Sequence, residues 1–532
     1  MTYNWQLPYP SKRFPVFARN MVASSQPLAV QAGIEALREG GNAVDAALAT
    51  AITLTVVEPC NNGIGSDAFA LVWDGNRLHG LNASGRSPKA WSPERFSSHT
   101  TMPGLGWDAV TVPGAVSAWV ALSDEFGRLP FDKLFNAAIH YAEQGYQVGP
   151  ETAYFWKLAE NIYKEFDEFR HVFLPGGKAP GPGERVSLPL HANTLKKIAA
   201  SKGKDFYQGS LAQSIANDAA RLGGALTAED MAEHQAQWVK PLSQKYQSQQ
   251  QGEIELHEIP PNGQGLMALI AAGVLNHLYP GKYPVDSADS LHLQIEAMRS
   301  AYAEIKSHLA DRDFMHVSPE KLLDKNWLHK KAAAISLDRT NPSPFTLPRS
   351  DDTVYLTAAD SQGMMVSMIQ SNYRGFGSGI VVPGTGISLQ NRGAGFTLEK
   401  GHPNEVGSGK RPYHTIIPGF VTQNGNPLLS FGVMGGHMQA QGHLQMLVRL
   451  FDYGQNPQAA SDAPRWQVLE DGRIALENGI PKTVAAELAR RGHIIADETP
   501  YYLFGGAQLI ASLPDGYCSG SDHRKEGMAI GF

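Results

Sequence analysis

The stretch that most constrains the fold of this chain is a hairpin sequence that begins at a threonine. Residues 354–359 form a β-branched and aromatic run, residues 360–363 have turn chemistry, and residues 364–369 form a second apolar run. This pattern predicts a β-hairpin around which the rest of the chain is organised.

The residue that opens this hairpin, Thr353, follows the most linker-like stretch of the chain. Residues 335–352 are dense in Pro, Ser, Asp and Arg, and they end at Asp352. If the Asp352–Thr353 peptide bond were cut, Thr353 would carry a free α-amine beside its own hydroxyl, which is one way to activate a weak nucleophile. The sequence therefore makes Asp352–Thr353 a candidate cleavage site and Thr353 a candidate nucleophile.

Charge and composition exclude several classes of function. The 532 residues are 42% hydrophobic and 18% charged, and the net charge of −6 comes without a basic cluster, which argues against nucleic acid and anionic membrane as partners. No run of about 18 apolar residues predicts a membrane span. Two distant cysteines, Cys60 and Cys518, favour unpaired thiols, and no signal peptide is evident. A cytoplasmic enzyme is expected.

Two helices are predicted near the N-terminus. Ser24-Ser25 reads as the cap of a helix that ends at Gly40-Gly41. Asn42 can cap a second helix over residues 43–57, which is so apolar that it should be buried all round. The Gly-rich residues 61–67 then lead into a strand; because a helix precedes them, they favour a structural turn over a dinucleotide loop.

Several familiar catalytic patterns are absent from the sequence. It has no His-Glu-x-x-His, His-x-His or Cys-x-x-Cys, so no metal site is expected, and it has no Gly-x-Ser-x-Gly or Walker loop. What remains is Thr353, the Ser371 hydroxyl at the far end of the hairpin, and the Gly435-Gly436 amides at a helix N-terminus. These are the parts of an acyl-transfer site, although a plain strand-to-helix turn is an alternative for the two glycines.

Short motifs along the chain carry a family resemblance. In chain order and with Thr353 among them, they are Gly40-Gly41-Asn42-Ala43-Val44-Asp45-Ala46-Ala47, Thr111-Val112-Pro113-Gly114, Pro260-Pro261, Glu296-Ala297-Met298-Arg299-Ser300-Ala301-Tyr302, Asp311-Arg312-Asp313-Phe314, Phe376-Gly377-Ser378-Gly379, Lys410-Arg411-Pro412 and Gly435-Gly436. Over essentially its full length the chain resembles the γ-glutamyltranspeptidase family of N-terminal-nucleophile hydrolases.

The resemblance implies an α+β fold, a four-layer αββα sandwich, made as one precursor. Self-cleavage would give a large chain, 1–352, and a small chain, 353–532, as one intertwined domain, with a dimer of these heterodimers allowed. Thr353 would attack the carbonyl of Asp352 and later the substrate amide. Gly435 and Gly436 match the family's oxyanion glycines, and Ser371 stands where the family has a second Thr. No cofactor is implied.

The chain departs from the family pattern at the positions that hold the glutamyl group. The departures are Ser84 in place of an Arg, with Arg86 two residues on, Tyr373 in place of an Asn, Arg392 and Gly395 in place of a Gln and an Asp, and His414 and Thr415 in place of two Ser. We therefore predict Tyr373, Arg392, His414, Thr415 and Arg86 as substrate-binding residues.

Exchanging the ammonium-binding acid for Gly395, with Arg392 nearby, reverses the electrostatic preference of the site. A cationic α-amine loses its partner, whereas a small carboxylate gains one. The expected function is cleavage of an amide of a carboxylate-bearing acyl group, as in the glutaryl/cephalosporin-acylase-like and oxamate amidohydrolase branches. A structural ion pair is the alternative for Arg392. The alternative functions are a true γ-glutamyltransferase or glutathione hydrolase, and an unprocessed homologue that only binds a ligand.

Overall fold

The computed structural model describes residues 5, 12–341 and 353–532. Asp352, on one side of the predicted cleavage site, lies outside these residues. The strands, in chain order, are β1 Val16–Ala18, β2 Met21–Ser24, β3 Asp67–Trp73, β4 Leu78–Ala83, β5 Tyr146–Gln147, β6 Arg185–Val186, β7 Gln237–Val239, β8 Leu242–Ser248, β9 Gly252–Glu258, β10 Val354–Ala359, β11 Met365–Ser371, β12 Gly419–Gln423, β13 Asn426–Met434, β14 Trp466–Val468, β15 Ile474–Leu476, β16 Gly506–Leu513, β17 Gly516–Ser521 and β18 Met528–Gly531.

Two seven-stranded sheets form the centre of the molecule. The first sheet has the order β18-β2-β10-β11-β3-β4-β7, and the second has the order β1-β17-β16-β13-β12-β9-β8. Neighbouring strands in both sheets are antiparallel. The predicted hairpin is confirmed as β10 and β11, and it lies in the middle of the first sheet.

Helices cover the outer face of each sheet. They are α1 Pro27–Arg38, α2 Ala43–Val57, α3 Ala115–Phe126, α4 Asn136–Gln144, α5 Pro150–Ile162, α6 Asp167–Phe173, α7 Pro189–Ser201, α8 Lys204–Gln208, α9 Ser210–Arg221, α10 Ala228–Ala232, α11 Gly265–Leu275, α12 Ala288–His308, α13 Pro319–Leu322, α14 Lys325–Ala333, α15 Met438–Leu447, α16 Pro457–Asp462 and α17 Lys482–Arg490.

The apolar side chains divide into three layers that match this arrangement. One core joins α1 and α2 to the first sheet, and a second joins α11, α12 and α15 to the second sheet. A third, which includes Phe69, Tyr355, Ile369, Phe420 and Ile510, fills the space between the two sheets. The predicted αββα sandwich is confirmed. In the described part of the chain, no helix is long and apolar enough to cross a membrane.

The first two helices show how local sequence sets these layers. Asn42 and Asp45 form a reciprocal capping box at the start of α2, as a helix N-terminus with a side-chain acceptor requires. Every residue of α2 is buried, as predicted. The expected Ser cap of α1 is wrong: the Gln26 side chain accepts the N–H groups of Leu28 and Ala29 instead. Its longer amide reaches the same orphan donors that a Ser would satisfy.

The strand register of the first sheet aligns four polar residues in one row. Ser371 is the partner of Asp67 across β11 and β3. Val354 pairs with Gln370, and Ala68 pairs with Ala83, so one further step of each register places Thr353 opposite Ser371 and Ser84 opposite Asp67. Residues directly opposite each other in an antiparallel pair point to the same face. The row crosses four adjacent strands at one end of the sheet.

Candidate active site

Thr353 lies at the start of β10 with its side chain fully buried. Its Oγ1 donates a hydrogen bond to Ser371 Oγ at 3.2 Å. Gln439 Nε2, from the first turn of α15, donates to Thr353 Oγ1 at 3.3 Å. The hydroxyl of the predicted nucleophile is thus held between an acceptor on β11 and a donor on α15.

Tyr373 follows the hairpin in a strained backbone conformation. Its φ of +83° lies in the left-handed region, where a non-glycine residue is rare. This conformation aims the Tyr373 N–H at Ser371 Oγ, at 2.8 Å. Its buried ring lies 4.5 Å from the guanidinium carbon of Arg392. Strain of this kind clusters at functional sites, where the surroundings hold it in place.

Gly435 and Gly436 form the turn between β13 and α15. Their φ angles are +114° and +56°, and a Cβ on Gly435 would come within 2.9 Å of the Cα of Gly505. The N–H of Gln439 donates to the Gly436 carbonyl at 3.3 Å. Gln439 therefore touches both Thr353 and Gly436, so the two predicted oxyanion glycines lie beside the predicted nucleophile at the positive end of α15.

Gln264, which the sequence did not single out, ties the glycine turn to the substrate side of the site. Its Nε2 donates to the carbonyl of Gly436 at 2.9 Å and also to the carbonyl of Thr415. Its Oε1 accepts the Tyr413 hydroxyl at 2.9 Å. One buried amide thereby fixes two backbone segments that are distant in the chain.

Arg392 is a fully buried cation in this shell. Its Nη1 donates to Thr415 Oγ1 at 2.8 Å, whereas its Nε and Nη2 have no hydrogen-bond partner. Burial lowers the pKa of Arg392 to about 10, and the carboxylate of Asp67 opposes this shift. Among the described residues, no carboxylate lies within ion-pair distance of Arg392. The structural ion pair that was the alternative for this residue is therefore not found there.

His414 and Asp67 form a buried pair next to Arg392. His414 Nε2 and Asp67 Oδ2 are 3.1 Å apart. The N–H of Ile416 donates to His414 Nδ1 at 3.4 Å, so the neutral ring carries its proton on Nε2 and donates it to Asp67. Burial, with the nearby charge of Arg392 adding to it, holds the pKa of His414 well below its usual value. Asp67 was interpreted from sequence as part of a turn.

Arg86 lies outside the contacts that join these residues. Its Nη1 donates to Asp311 Oδ2 at 3.0 Å and to the carbonyl of Gly409 at 2.9 Å. It lines a separate cavity of about 240 Å³, together with Arg411 and His234. The structure therefore brings together Thr353, Ser371, Tyr373, Arg392, His414, Thr415, Gly435 and Gly436, but not Arg86. Their roles in the reaction stay predictions.

A metal centre has no support in this geometry. Within residues 5, 12–341 and 353–532, no group of three or more His, Cys, Asp and Glu side chains is placed to hold a metal ion. The polar groups around Thr353, Arg392 and His414 are hydroxyls, amides, one guanidinium, one imidazole and the carboxylate of Asp67. This set suits acyl transfer with backbone oxyanion donors.

Comparisons with known proteins agree on one family. The family model described as Gamma-glutamyltranspeptidase matches residues 29–532. The glutathione hydrolase-like YwrD proenzyme of Bacillus subtilis is 32% identical, covering 97% of this chain and 98% of that protein. The oxamate amidohydrolase proenzyme of Klebsiella pneumoniae is 33% identical, covering 97% and 99%. The crystal structure of cephalosporin acylase from Bacillus halodurans matches with a TM-score of 0.95 and 44% identity, covering 100% of this chain and 99% of that one.

Proposed function

Because this chain belongs to the γ-glutamyltranspeptidase family, we propose that it is a self-processing amidohydrolase for a small, carboxylate-bearing acyl group of the glutaryl or oxamate type. The acyl group is transferred to Thr353 and then to water. The observation that carries the proposal is the buried guanidinium of Arg392 with two unpartnered N–H groups. Buried donors left unpaired cost about 1–3 kcal/mol each, and a substrate carboxylate satisfies both.

The chemistry follows from the groups around Thr353. Attack of its Oγ1 on the Asp352 carbonyl moves the Asp352 acyl group from the Thr353 nitrogen to Oγ1, and the Oγ1 proton goes to that nitrogen. Water then hydrolyses this ester, which leaves a carboxylate on Asp352 and frees both the α-amine and the hydroxyl of Thr353. In turnover this amine takes the Oγ1 proton as Oγ1 attacks the substrate carbonyl, and returns it to the leaving amine. Water then attacks the Thr353 ester by the same route and releases the acid.

The oxyanion of each tetrahedral intermediate needs donors that are already in place. The N–H groups of Gly435 and Gly436 supply them at the N-terminal end of α15, beside Thr353. Loss of one such donor costs about 3 kcal/mol of transition-state stabilisation. Gln264 holds the Gly436 carbonyl and so keeps the turn in this orientation.

The acyl specificity rests on the charge of the pocket. Arg392 stacks on Tyr373 and donates to Thr415, which orients its remaining donors as a planar fork for a carboxylate. Gly395, where an acid would hold an α-ammonium, has no side chain. The neutral ring of His414 adds no second cation.

A γ-glutamyl amide is the second candidate, because one acid does lie close by. Asp67 is a buried carboxylate near Arg392, and an α-ammonium would be attracted to it. However, Asp67 already accepts from the N–H groups of Gly114 and Gly85 and contacts His414, so little of it is left for a ligand. The two candidate functions can be distinguished by whether the enzyme prefers a glutaryl amide or a γ-glutamyl amide.

A panel of anilides separates these candidates. Glutaryl-p-nitroanilide, valeryl-p-nitroanilide and γ-glutamyl-p-nitroanilide share a chain length but differ in the terminal groups, and oxamate is followed by ammonia release. We expect kcat/KM for the glutaryl compound to exceed that for the valeryl compound at least about tenfold, since a charged hydrogen bond contributes about 1.5–3 kcal/mol. Preference for the γ-glutamyl compound would contradict the proposal.

Two arginine variants locate the carboxylate. Arg392→Met should lower kcat/KM for the glutaryl compound about 10- to 100-fold and leave the valeryl compound nearly unchanged. Arg86→Met is the matched variant, because Arg86 is paired with Asp311 outside the contacts around Thr353. If Arg86→Met and not Arg392→Met removes the preference, the assignment of the carboxylate to Arg392 is wrong.

A further inference from the structure

Asp67 is the buried acid of the site, and its contacts account for both of its oxygens. Oδ1 accepts the N–H of Gly114 at 3.0 Å and that of Gly85 at 3.3 Å. Oδ2 contacts His414 Nε2 at 3.1 Å. Asp67, His414 and Arg392 are all fully buried, so the net charge of this group is not screened by solvent.

Two cations, Arg392 and Arg411, act on Asp67, and they differ in whether another acid also interacts with them. The charge of Arg411 acts on Asp67, but Arg411 interacts more strongly with Asp311, which also accepts its backbone N–H. Arg392 has no acid within ion-pair distance among the described residues, and its charge also acts on Asp67. Burial raises the pKa of the Tyr207 phenol, on α8, and the charge of Asp67 adds to this increase, so the phenol stays neutral. The one carboxylate that balances Arg392 before substrate arrives is therefore Asp67.

A substrate carboxylate on Arg392 changes this balance. One buried guanidinium would then face two carboxylates, and two like charges in one buried site raise the proton affinity of one of them. The substrate carboxylate has the direct contact to Arg392, whereas Asp67 is beyond ion-pair distance from it. The proton must therefore go to the Asp67–His414 pair.

We propose that Asp67 is a specificity-determining residue that takes up one proton from solvent when a carboxylate-bearing acyl group binds to Arg392. This inference rests on the proposed function. The proton from solvent is added to the Asp67 carboxylate, so the Asp67–His414 pair changes from one net negative charge to neutral. No bond to carbon is made or broken. A neutral acyl group adds no charge and requires no proton.

The pH range of the effect follows from the state of the free site. Burial raises the pKa of Asp67 to about 7, and the charge of Arg392 opposes this increase. Above that pH, Asp67 must first be protonated, so the affinity for a carboxylate-bearing acyl group falls tenfold for each pH unit. Below that pH, Asp67 already carries the proton. The carboxyl of a glutaryl group is ionised throughout pH 6–9.

The ratio of two kcat/KM values tests this without any mutation. Glutaryl- and valeryl-p-nitroanilide share the Thr353 chemistry and its own pH dependence, so the ratio of glutaryl to valeryl reports the acyl pocket alone. We expect the ratio to be level up to about pH 7 and to fall about tenfold per unit above it. A ratio that stays constant and above one from pH 6 to pH 9 would overturn the inference and leave the proposed function standing. A ratio near one at every pH would refute the proposed function itself.

Two Asp-to-Asn variants complete the test. Asp67→Asn is neutral at every pH, so its ratio should be flat from pH 6 to pH 9. Asp452→Asn is the matched control, because Asp452 is also a buried acid with a raised pKa but contacts Tyr246 and Gln249 on the second sheet. Its ratio should keep the wild-type slope. A wild-type slope that persists in Asp67→Asn would overturn the inference, and a slope lost in Asp452→Asn would do the same.

Discussion

Ser371 and Asp67 are direct partners across the β11–β3 ladder, with Ser371 at the end of one strand and Asp67 at the start of the other. Their side chains therefore share one face, with Cβ atoms about 5 Å apart, as opposite residues in an antiparallel pair are. Ser371 accepts the Thr353 hydroxyl, so the predicted nucleophile and the buried acid Asp67 are linked through one row of the sheet. On the proposed function, the residues for acyl recognition and those for acyl transfer would therefore lie on the same sheet.

Replacement of Thr353 should stop both self-cleavage and turnover. Thr353→Ala removes the attacking oxygen, so we expect one band of the full 57.6 kDa chain on a denaturing gel. Wild type should instead give bands of about 38 and about 19 kDa, in proportion to residues 1–352 and 353–532. Activity should fall at least about a thousandfold.

The matched control for this variant is Thr357→Ala. It removes another buried hydroxyl of β10, one that bonds Ser430 and not Thr353, and it should still be cleaved. Cleaved, active Thr353→Ala would contradict the mechanism, and a single band from active wild type would refute self-processing.

Gly435→Ala should damage turnover more than folding. The backbone at Gly435 has a φ of +114°, and a Cβ there would press on Gly505, so the turn must move and its N–H groups with it. We expect kcat to fall about 100- to 1,000-fold. Gly363→Ala has similar backbone strain, with a φ of +93°, but open space around it. Equal loss of kcat in both variants would mean that strain, and not the oxyanion donors, causes the effect.

Gln264→Leu should lower both stability and kcat. It removes the side-chain donor to the carbonyls of Gly436 and Thr415 and the acceptor of the Tyr413 hydroxyl, and we expect the free energy of unfolding to fall by about 2–4 kcal/mol. Gln441→Leu is a matched change of another buried amide, which donates to Tyr302 and to the Val468 carbonyl instead. Urea unfolding should show a loss in both variants, but kcat per folded molecule should fall only in Gln264→Leu.

Glu58 should make the protein less stable as pH rises. Burial raises the pKa of Glu58 to about 7, against opposing hydrogen bonds from Ser25 and Asn61. The folded state holds this proton more tightly than the unfolded state. Protonation of Glu58 therefore makes its full contribution to the free energy of unfolding below about pH 4.5, and this contribution is lost as pH rises towards 7. This change in the free energy of unfolding is about 3 kcal/mol.

The variant Glu58→Gln isolates this contribution, since it cannot ionise. Urea unfolding gives the free energy of unfolding at pH 5 and at pH 8, and the difference between these two values should be smaller in the variant than in wild type. An unchanged difference would mean that Glu58 does not titrate in this range.

Local patterns in the sequence were enough to predict the hairpin and the Asn42 cap, because turn and capping chemistry depend on residues a few positions apart. The αββα sandwich and the roles of Thr353 and Gly435-Gly436 came from the family resemblance. Asp67 and Gln264 were missed because their contacts, to His414 and to Gly436, join residues more than a hundred positions apart. Arg86 is two positions from Ser84, where the family has an Arg, but it pairs with Asp311 and does not contact the predicted residues around Thr353.

The position of β10 in the first sheet bears on whether the two parts of the chain would separate after a cut before Thr353. β10 lies between β2, from the N-terminal segment, and β11, and the same interleaving recurs where β1 pairs with β17 and β9 with β12. After a cut before Thr353, main-chain hydrogen bonds between these paired strands would therefore still join the two parts of the chain. The two parts of a cut chain would thus be held together by paired strands and not by the Asp352–Thr353 peptide bond.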